Sequence, residues 1–518
     1  MPRSLPPLAL HPLLFAAYAV LFLYAENIQL VSTSEVLAPL FWSVAAAGVL
    51  LVVASLLLRD VRRGALLASG LLIVFFGYGH LAGVSVPEIA GWPLLTAWAA
   101  FVLGICGLLL LRSGWLARLT TGLNVAGLVL VIFTLATIVP YIAGRPARAN
   151  DDEVPPSGLS AQRTTARDIY YLVFDRYGSE SSLAAEYGIS DNDLYGWLAE
   201  RGFEVAPAAH ANYSRTALSL ASVLNLDYLD DVAAQEGAAS ADYGPVHGMF
   251  QEHIVGRFLR EQGYRYVHIG SWFNPTRRVA IADESLESES TTEFGAVLDG
   301  TTALPLLASL LGEDEPMSPD DETHVEHGRF QFRALQRVIG DPGPKFVLAH
   351  VLLPHDPYTF DEDGEYVPEA ERRGVPVAEQ YRAQLEYTNG QIKALVEALL
   401  ARPAAQRPII IVQADEGPYP ARYDADVLGF DWRTATGAEL EMKFGILNAF
   451  YLPDEAGLPT GASDLYPSMS SVNTFRLVLG RYFGLDLPLL PDRSWVSASP
   501  RRPYDLSEVT HRLEVSEP

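Results

Sequence analysis

Cysteine is almost absent: Cys106 is the only one in 518 residues, and it lies inside an apolar run. That excludes a disulfide framework, a thiolate metal cluster and an exposed Cys nucleophile. Lysine is nearly as scarce, with Lys345, Lys393 and Lys443 the only three, so positive charge is carried by Arg. With 37 Lys+Arg against 62 Asp+Glu, the formal net charge is −25. The chain therefore lacks the basic footprint of a nucleic-acid binder, and no nucleic-acid partner is expected. The acidic excess reads as general solubility of the non-membrane part. Internal repeats are also missing.

What the chain does have is long apolar runs before residue 144, at 8–24, 36–58, 64–84, 92–111 and 121–143, none containing Asp, Glu, Lys or Arg. Each is near the roughly 20 residues that cross a bilayer, so five transmembrane helices are expected over 1–143. A signal peptide is excluded for the first run, because four more follow it and no small-residue cleavage site closes it. Arg59, Arg62 and Arg63 mark loop 59–63 as cytoplasmic, and Arg112 and Arg118 do the same for loop 112–120. Loops 25–35 and 85–91 hold only acidic charge. An odd number of spans then places the N-terminus in the cytoplasm and exports the C-terminal part of a multi-pass plasma-membrane protein.

Residues 144–167, rich in Pro, Gly, Ser and charge, read as a linker. An exported domain is expected over 168–500 and a C-terminal tail over 501–518. Within the domain, strands are predicted at 169–174, 264–269, 346–351 and 408–413. Helices are predicted near 191–201, 216–225, 246–262, 323–339, 377–401 and 472–483. This alternation predicts an α/β sandwich around a largely parallel sheet. The acidic stretch 283–322 reads as an insertion or flexible loop.

Three predicted strands end in polar residues: DIYYLVFDRYG in Asp175, KFVLAHVLLPHDPY in His355-Asp356, and PIIIVQADEGP in Asp415-Glu416-Gly417. Carboxylates delivered to the C-terminal edge of an open α/β sheet form a metal or phosphate address. In HANYSRTALSLASVLN, loop turns into helix at Thr216. A hydroxyl there is either an N-cap or a nucleophile placed where backbone N–H groups favour a phosphoryl group. Ser214 is the reserve nucleophile, and Asn212 and Arg215 are donors for phosphoryl oxygens. His350 reads as a satisfied strand histidine. His355 is better placed to touch a phosphoryl oxygen or protonate a leaving group. His247 and His253 read as surface residues, and His324 and His327, although on one helical face, as weak metal candidates.

The order of these motifs resembles the alkaline-phosphatase-like superfamily. More narrowly it resembles the sulfatase-like branch that includes lipoteichoic acid synthases and phosphoethanolamine transferases, whose domain also follows five spans. The resemblance covers nearly the whole chain, including SSVNTFRLVLGRYFG at 470–484. It implies a metal site of Asp175, Thr216, Asp415 and Glu416, with Thr216 as nucleophile and His355 on the substrate side. Trp272 and Arg277, in HIGSWFNPTRR, are similar to head-group contacts of lipoteichoic acid synthases. Glu416 departs from the pattern, which has His there. An all-oxygen ligand set favours one Mn, Mg or Ca ion over Zn.

The expected function is a membrane-anchored, metal-dependent phosphotransferase or phosphodiesterase acting on an envelope lipid or polymer head group. Its expected partners are that substrate and the bilayer; no protein partner is indicated. A non-catalytic receptor or scaffold is the alternative that Glu416 supports. A sulfuric ester hydrolase is less supported, because NYSRT lacks the Pro of the C/S-x-P-S-R motif and the sole Cys is intramembrane.

Overall fold

The computed structural model describes residues 8–29, 31, 33–84, 92–109, 113–144, 166–288, 292–304, 306–307, 317–427, 429–459 and 465–513. The chain divides into two compact units, Met1–Arg148 with Thr291–Thr323, and Ala149–Ser290 with His324–Pro518. Most of the expected linker lies outside the described residues.

The first unit is helical: α1 His11–Glu26, α2 Thr33–Leu58, α3 Val61–Val84, α4 Trp92–Leu108 and α5 Ser113–Gly144. Among the described residues, three segments are long and apolar enough to cross a membrane, at Glu35–Leu58, Val61–His80 and Gly114–Ala143. Two further apolar helices, His11–Glu26 and Thr96–Ile105, are shorter. Leu37, Phe41, Trp42 and Leu57 on α2, with Val125, Phe133 and Val139 on α5, expose large apolar side chains. Large apolar side chains exposed in such number along helices of this length suit lipid rather than water.

The second unit is an α/β sandwich. Its strands are β1 Ile169–Phe174, β2 Glu204–Val205, β3 Arg265–Ile269, β4 Glu284–Leu286, β5 Lys345–Val351, β6 Ile409–Gln413 and β7 Asn448–Tyr451. They form one sheet in the order β2-β7-β6-β1-β5-β3-β4. β1 pairs in parallel with both β5 and β6, and β3 with β5 and β4, while β7 runs antiparallel to β6. β1, β5 and β6 are buried along their whole length, which is why they read as unbroken apolar runs. On one face Ile169, Tyr171 and Val173 join a core with Leu220 and Val223 of helix Thr216–Asn225 and with Phe475 and Phe483 of helix Thr474–Phe483. On the other, Phe174 stacks against Phe332 of helix Pro319–Ile339.

Several boundaries differ from the sequence pattern. The single helix predicted over 246–262 is two, Gly244–Gln251 and Ile254–Glu261. His253 separates them: it is fully buried, and its Nδ1 accepts the Gly256 N–H at 2.9 Å as the cap of the second helix. It is no surface residue. The stretch 283–322 contains β4 and helix Glu293–Thr301, which Thr292 caps by accepting from Gly295 N at 2.9 Å. That helix belongs to the first unit, where Phe294 and Leu298 are buried with Val20, Tyr24, Ile28, Val36 and Ile138. Much of the expected tail is also ordered. β9, Arg502–Glu508, pairs antiparallel with β8, Trp495–Ser499.

Candidate metal centre and phosphoryl site

Sheet register assembles the centre. Val173 of β1 lies opposite His350 of β5 and Gln413 of β6, so Asp175 and Asp415, each two residues on, leave the same edge of the sheet. The Asp175 N–H donates to Val351 O at 2.9 Å, extending the ladder by one step and fixing where the carboxylate emerges. Asp175, His350 and Asp415 offer ligand atoms that all lie within 4.8 Å of one another, and all three are buried. His350 Nε2 stands 3.6 Å from Asp175 Oδ2 and 3.7 Å from Asp415 Oδ2. These distances are too long for good hydrogen bonds.

The electrostatics of the cluster are unfavourable without a cation. Asp175 Oδ1, both Asp415 oxygens and His350 Nε2 are buried without a hydrogen-bond partner. Burial pushes the Asp175 carboxyl well above the usual range, and the nearby Asp415 and Glu416 charges raise it further. Burial also raises Asp415. His350 is lowered to about 3, again by burial, so its ring is neutral. Orphaned carboxylate oxygens facing a neutral imidazole nitrogen are the arrangement a divalent ion would satisfy. The other ring nitrogen is already used: His350 Nδ1 lies 2.9 Å from Thr276 Oγ1, which in turn lies 2.7 Å from Ser271 Oγ. The residues present fit a bound divalent metal.

His350 is the residue that the strand pattern misplaces. A histidine in an apolar strand reads the same whether its outer nitrogen meets a backbone carbonyl or an ion. Only the pairing of β5 with β1 shows that Nε2 faces two carboxylates. A shell that used this cluster would include an imidazole and so would not be all oxygen, and such a donor set suits Zn as well as Mn.

Thr216 borders the triad. It is the first residue of its helix, and the N-cap is Arg215, which makes no side-chain cap bond. The Thr216 hydroxyl is therefore not spent on capping. It stands close enough to Asp415 to pull that carboxyl's pKa back against the effect of burial, although neither Asp415 oxygen has a hydrogen bond of good geometry. Arg215 donates through Nε to Ser497 Oγ at 3.0 Å and keeps one terminal nitrogen buried without a partner.

Glu416 lies outside the triad. Its Oε1 is 2.6 Å from Lys443 Nζ, both side chains being buried, and its Oε2 has no partner. Lys443, in the last turn of helix Gly437–Phe444, also donates to Gly417 O at 3.1 Å and lies 3.4 Å from the Tyr419 ring centre. Gly417 makes this approach possible, since a Cβ there would meet Met442 O at 2.2 Å. The Arg176 guanidinium also lies over Tyr419, 4.2 Å from the ring centre, and pairs with Asp356. Arg176 has a φ of 61°, uncommon for a residue with a Cβ, and Tyr381 OH donates to its carbonyl at 2.8 Å. Arg176, Lys443 and Tyr419 carry no sequence signal, because their relation is purely spatial.

The remaining expected residues divide. His355 and Trp272 come together, their rings T-shaped at 5.7 Å. Burial and the Arg176 charge lower His355 to about 3, so it is neutral at pH 7 and suited to hydrogen bonding rather than to acid catalysis. Arg277 turns instead to Glu287, with Nε at 3.1 Å from its carboxylate. Asn212 is fully buried, donating to Arg493 O and accepting from Ser471 Oγ and Val472 N. Those bonds latch the segment before Thr216 to residues 471, 472 and 493. Ser214 is buried and accepts from Ser497 N at 3.4 Å. His324 is likewise satisfied, by Thr359 Oγ1 and Leu352 O.

No family model matches the chain, and no curated protein matches it by sequence. The chain is similar to solved phosphoethanolamine transferases. One is the C-terminal periplasmic domain of EptC from Escherichia coli in complex with Zn, at 11% identity and TM-score 0.44, covering 66% of this chain and 92% of that one. Another is the integral membrane lipooligosaccharide phosphoethanolamine transferase A from Neisseria meningitidis, at 14% identity and TM-score 0.39, covering 92% of this chain and 94% of that one. A protein of the alkaline phosphatase superfamily from Vibrio parahaemolyticus is similar at 12% identity and TM-score 0.39, over 67% of this chain and 76% of that one.

Proposed function

We propose that the protein is a membrane-anchored, metal-dependent phosphotransferase or phosphodiesterase that acts on a phosphorylated head group of an envelope lipid or polymer. The observation that carries this reading is the buried Asp175–His350–Asp415 triad, with its unpartnered ligand atoms, beside an uncapped Thr216. All five N-terminal helices are spans in this reading, with the N-terminus cytoplasmic and the α/β unit outside. Asp175, His350 and Asp415 would hold the ion.

A bound divalent ion supplies positive charge to the phosphoryl group and makes a neighbouring hydroxyl more acidic. Thr216 Oγ1 attacks phosphorus in line as the bond from phosphorus to the donor's alkoxy oxygen breaks; the Thr216 proton passes toward Asp415, and the departing oxygen leaves as an alcohol after taking a proton from water. The free terminal nitrogen of Arg215 and the helix N-terminus at Thr216 donate to phosphoryl oxygens. His355, as neutral imidazole against Trp272, holds the head group by hydrogen bonding. The covalent Thr216 phosphoester then passes its group to an acceptor or to water.

The test is Thr216→Ala in the full-length protein. Turnover of a phosphoester substrate should fall at least about 10³-fold. The melting temperature should be unchanged, since the hydroxyl caps nothing. Wild-type protein exposed to native membranes should carry a phosphorus-containing adduct on Thr216 by mass spectrometry. Near-normal turnover by the Ala variant would rule out the nucleophile. A wild-type protein that binds no divalent ion would favour the non-catalytic receptor.

A further inference from the structure

After Ser290 the chain leaves the α/β unit for a segment, Thr291–Thr323, that packs with the helical unit instead. The chemistry just described makes no use of it. Helix Glu293–Thr301 buries Phe294 and Leu298 in one apolar cluster with Tyr24 and Ile28 at the end of α1, Val36 at the start of α2 and Ile138 near the end of α5. These residues mark one end of the bundle, and the Arg-bearing loops 59–63 and 112–120 mark the other as cytoplasmic. The cluster extends to Val20, six residues before the α1 end at Glu26, and to Ile138, six before the α5 end at Gly144, a depth of roughly 9 Å by the helical rise. Amphipathic helices that lie in a membrane surface reach a similar depth, ~5–10 Å. Gly79 of α3 permits the close fit, since a Cβ there would meet Gly300 O at 2.0 Å.

The segment is apolar on its outside as well. Val297, Leu304 and Leu307 are 46%, 44% and 46% exposed. Beyond Gly144, seven large apolar side chains are exposed among the described residues, and these three fall between 297 and 307, which is a concentration rather than the usual single scatter. The surface they belong to continues one already assigned to lipid: Val36, in the cluster with Phe294, is followed on α2 by the exposed Leu37, Phe41 and Trp42. No Lys or Arg occurs in 291–323, so apolar burial rather than attraction to anionic head groups accounts for the affinity. Resting on the reading of the N-terminal helices as spans, we propose that this segment is an interfacial membrane element, which inserts Val297, Leu304 and Leu307 among the acyl chains of the outer leaflet while Phe294 and Leu298 clip it to the bundle. The α/β unit is thereby tied to the membrane in mid-chain, at 290/291 and 323/324, as well as through 148/149.

The test uses full-length protein with Cys106→Ser and one new cysteine carrying a bimane label, reconstituted in phosphatidylcholine nanodiscs with or without brominated acyl chains. Val49→Cys, at an exposed position in the middle of α2, gives the lipid reference, and Glu371→Cys, at an exposed position of the α/β unit, gives the water reference. Labels at Val297→Cys, Leu304→Cys and Leu307→Cys should be quenched by brominated lipid to within about twofold of the Val49 label. They should also resist aqueous iodide at least about threefold better than the Glu371 label. Should a variant fail to fold, the wild-type protein decides: a lipid bearing a photoreactive diazirine on its acyl chain should label the peptide spanning 293–307, read by mass spectrometry. Labels at the three positions that iodide reaches as it reaches Glu371, labels shielded from both quenchers as a second copy of the chain would shield them, or no diazirine labelling of that peptide would overturn the proposal and leave the spans intact. A Val49 label that brominated lipid does not quench would overturn the spans as well.

Discussion

Thr276 Oγ1 lies 2.9 Å from His350 Nδ1, on the side of the ring opposite the two carboxylates. That contact determines which imidazole nitrogen is offered to Asp175 and Asp415, in the way that outer partners orient ligating histidines in metal sites. Thr276→Val preserves shape and removes the hydroxyl. Its Mn²⁺ or Zn²⁺ affinity should drop about 10- to 100-fold by calorimetry. Thr276→Ser should stay close to wild type.

His253 gives a pH signature of its own. Burial lowers it from the usual 6.5 to about 3, and its Nδ1 must stay unprotonated to accept the Gly256 N–H. The folded state therefore takes up this proton later than the unfolded chain. The stability it contributes is fully present above about pH 6.5 and is lost as pH falls toward 3. His253→Asn can keep the cap and removes the titration. Chemical denaturation at pH 4, 5, 6 and 7 should show a shallower acid loss in the variant, by up to about 1.4 kcal/mol per pH unit. Equal slopes would mean that another group dominates.

Gly417→Ala should act through geometry alone. Its Cβ would meet Met442 O at 2.2 Å, so the loop must move away from the helix that carries Lys443. A loss of more than about 2 kcal/mol in stability is expected by denaturant titration, together with weaker activity. Ala at the exposed Gly248, whose Cβ meets nothing within 4 Å, is the control and should be neutral or better.

Membrane topology follows from the Arg-bearing loops. A reporter fused after residue 150 should be active outside the cytoplasm, and one fused at Arg62 should be active inside it. Reversed labelling would remove the envelope substrate from consideration.

The parts of the fold legible in the sequence are those where one local property suffices. β1 and helix Thr216–Asn225 have the predicted boundaries because an unbroken apolar run and a clear polar-to-helical transition each mark a whole element. Asp175 and Asp415 were legible because polar residues stand out at the exits of such runs. His350 and Lys443 were not, since their meaning depends on pairing across the sheet and on a helix end 27 positions beyond Glu416. His253 hides in the same way: a cap between two short helices has the local pattern of one long helix. β7, β8 and β9 hold too few alternating positions to rise above the surrounding loops.

Helix Glu293–Thr301 makes the chain's two units inseparable by a single cut. The polypeptide passes from one unit to the other at 148/149, again at 290/291 and once more at 323/324. A truncated protein starting at Ala149 would retain Phe294 and Leu298 but lose Val20, Tyr24, Ile28, Val36 and Ile138, the residues that shield them from water. Such a fragment would carry a sticky loop of its own making, and its self-association would report on the missing helices rather than on the native protein. Removing 291–323 along with the first 148 residues, and bridging the gap with a short Gly/Ser segment, respects the boundaries that the packing itself draws.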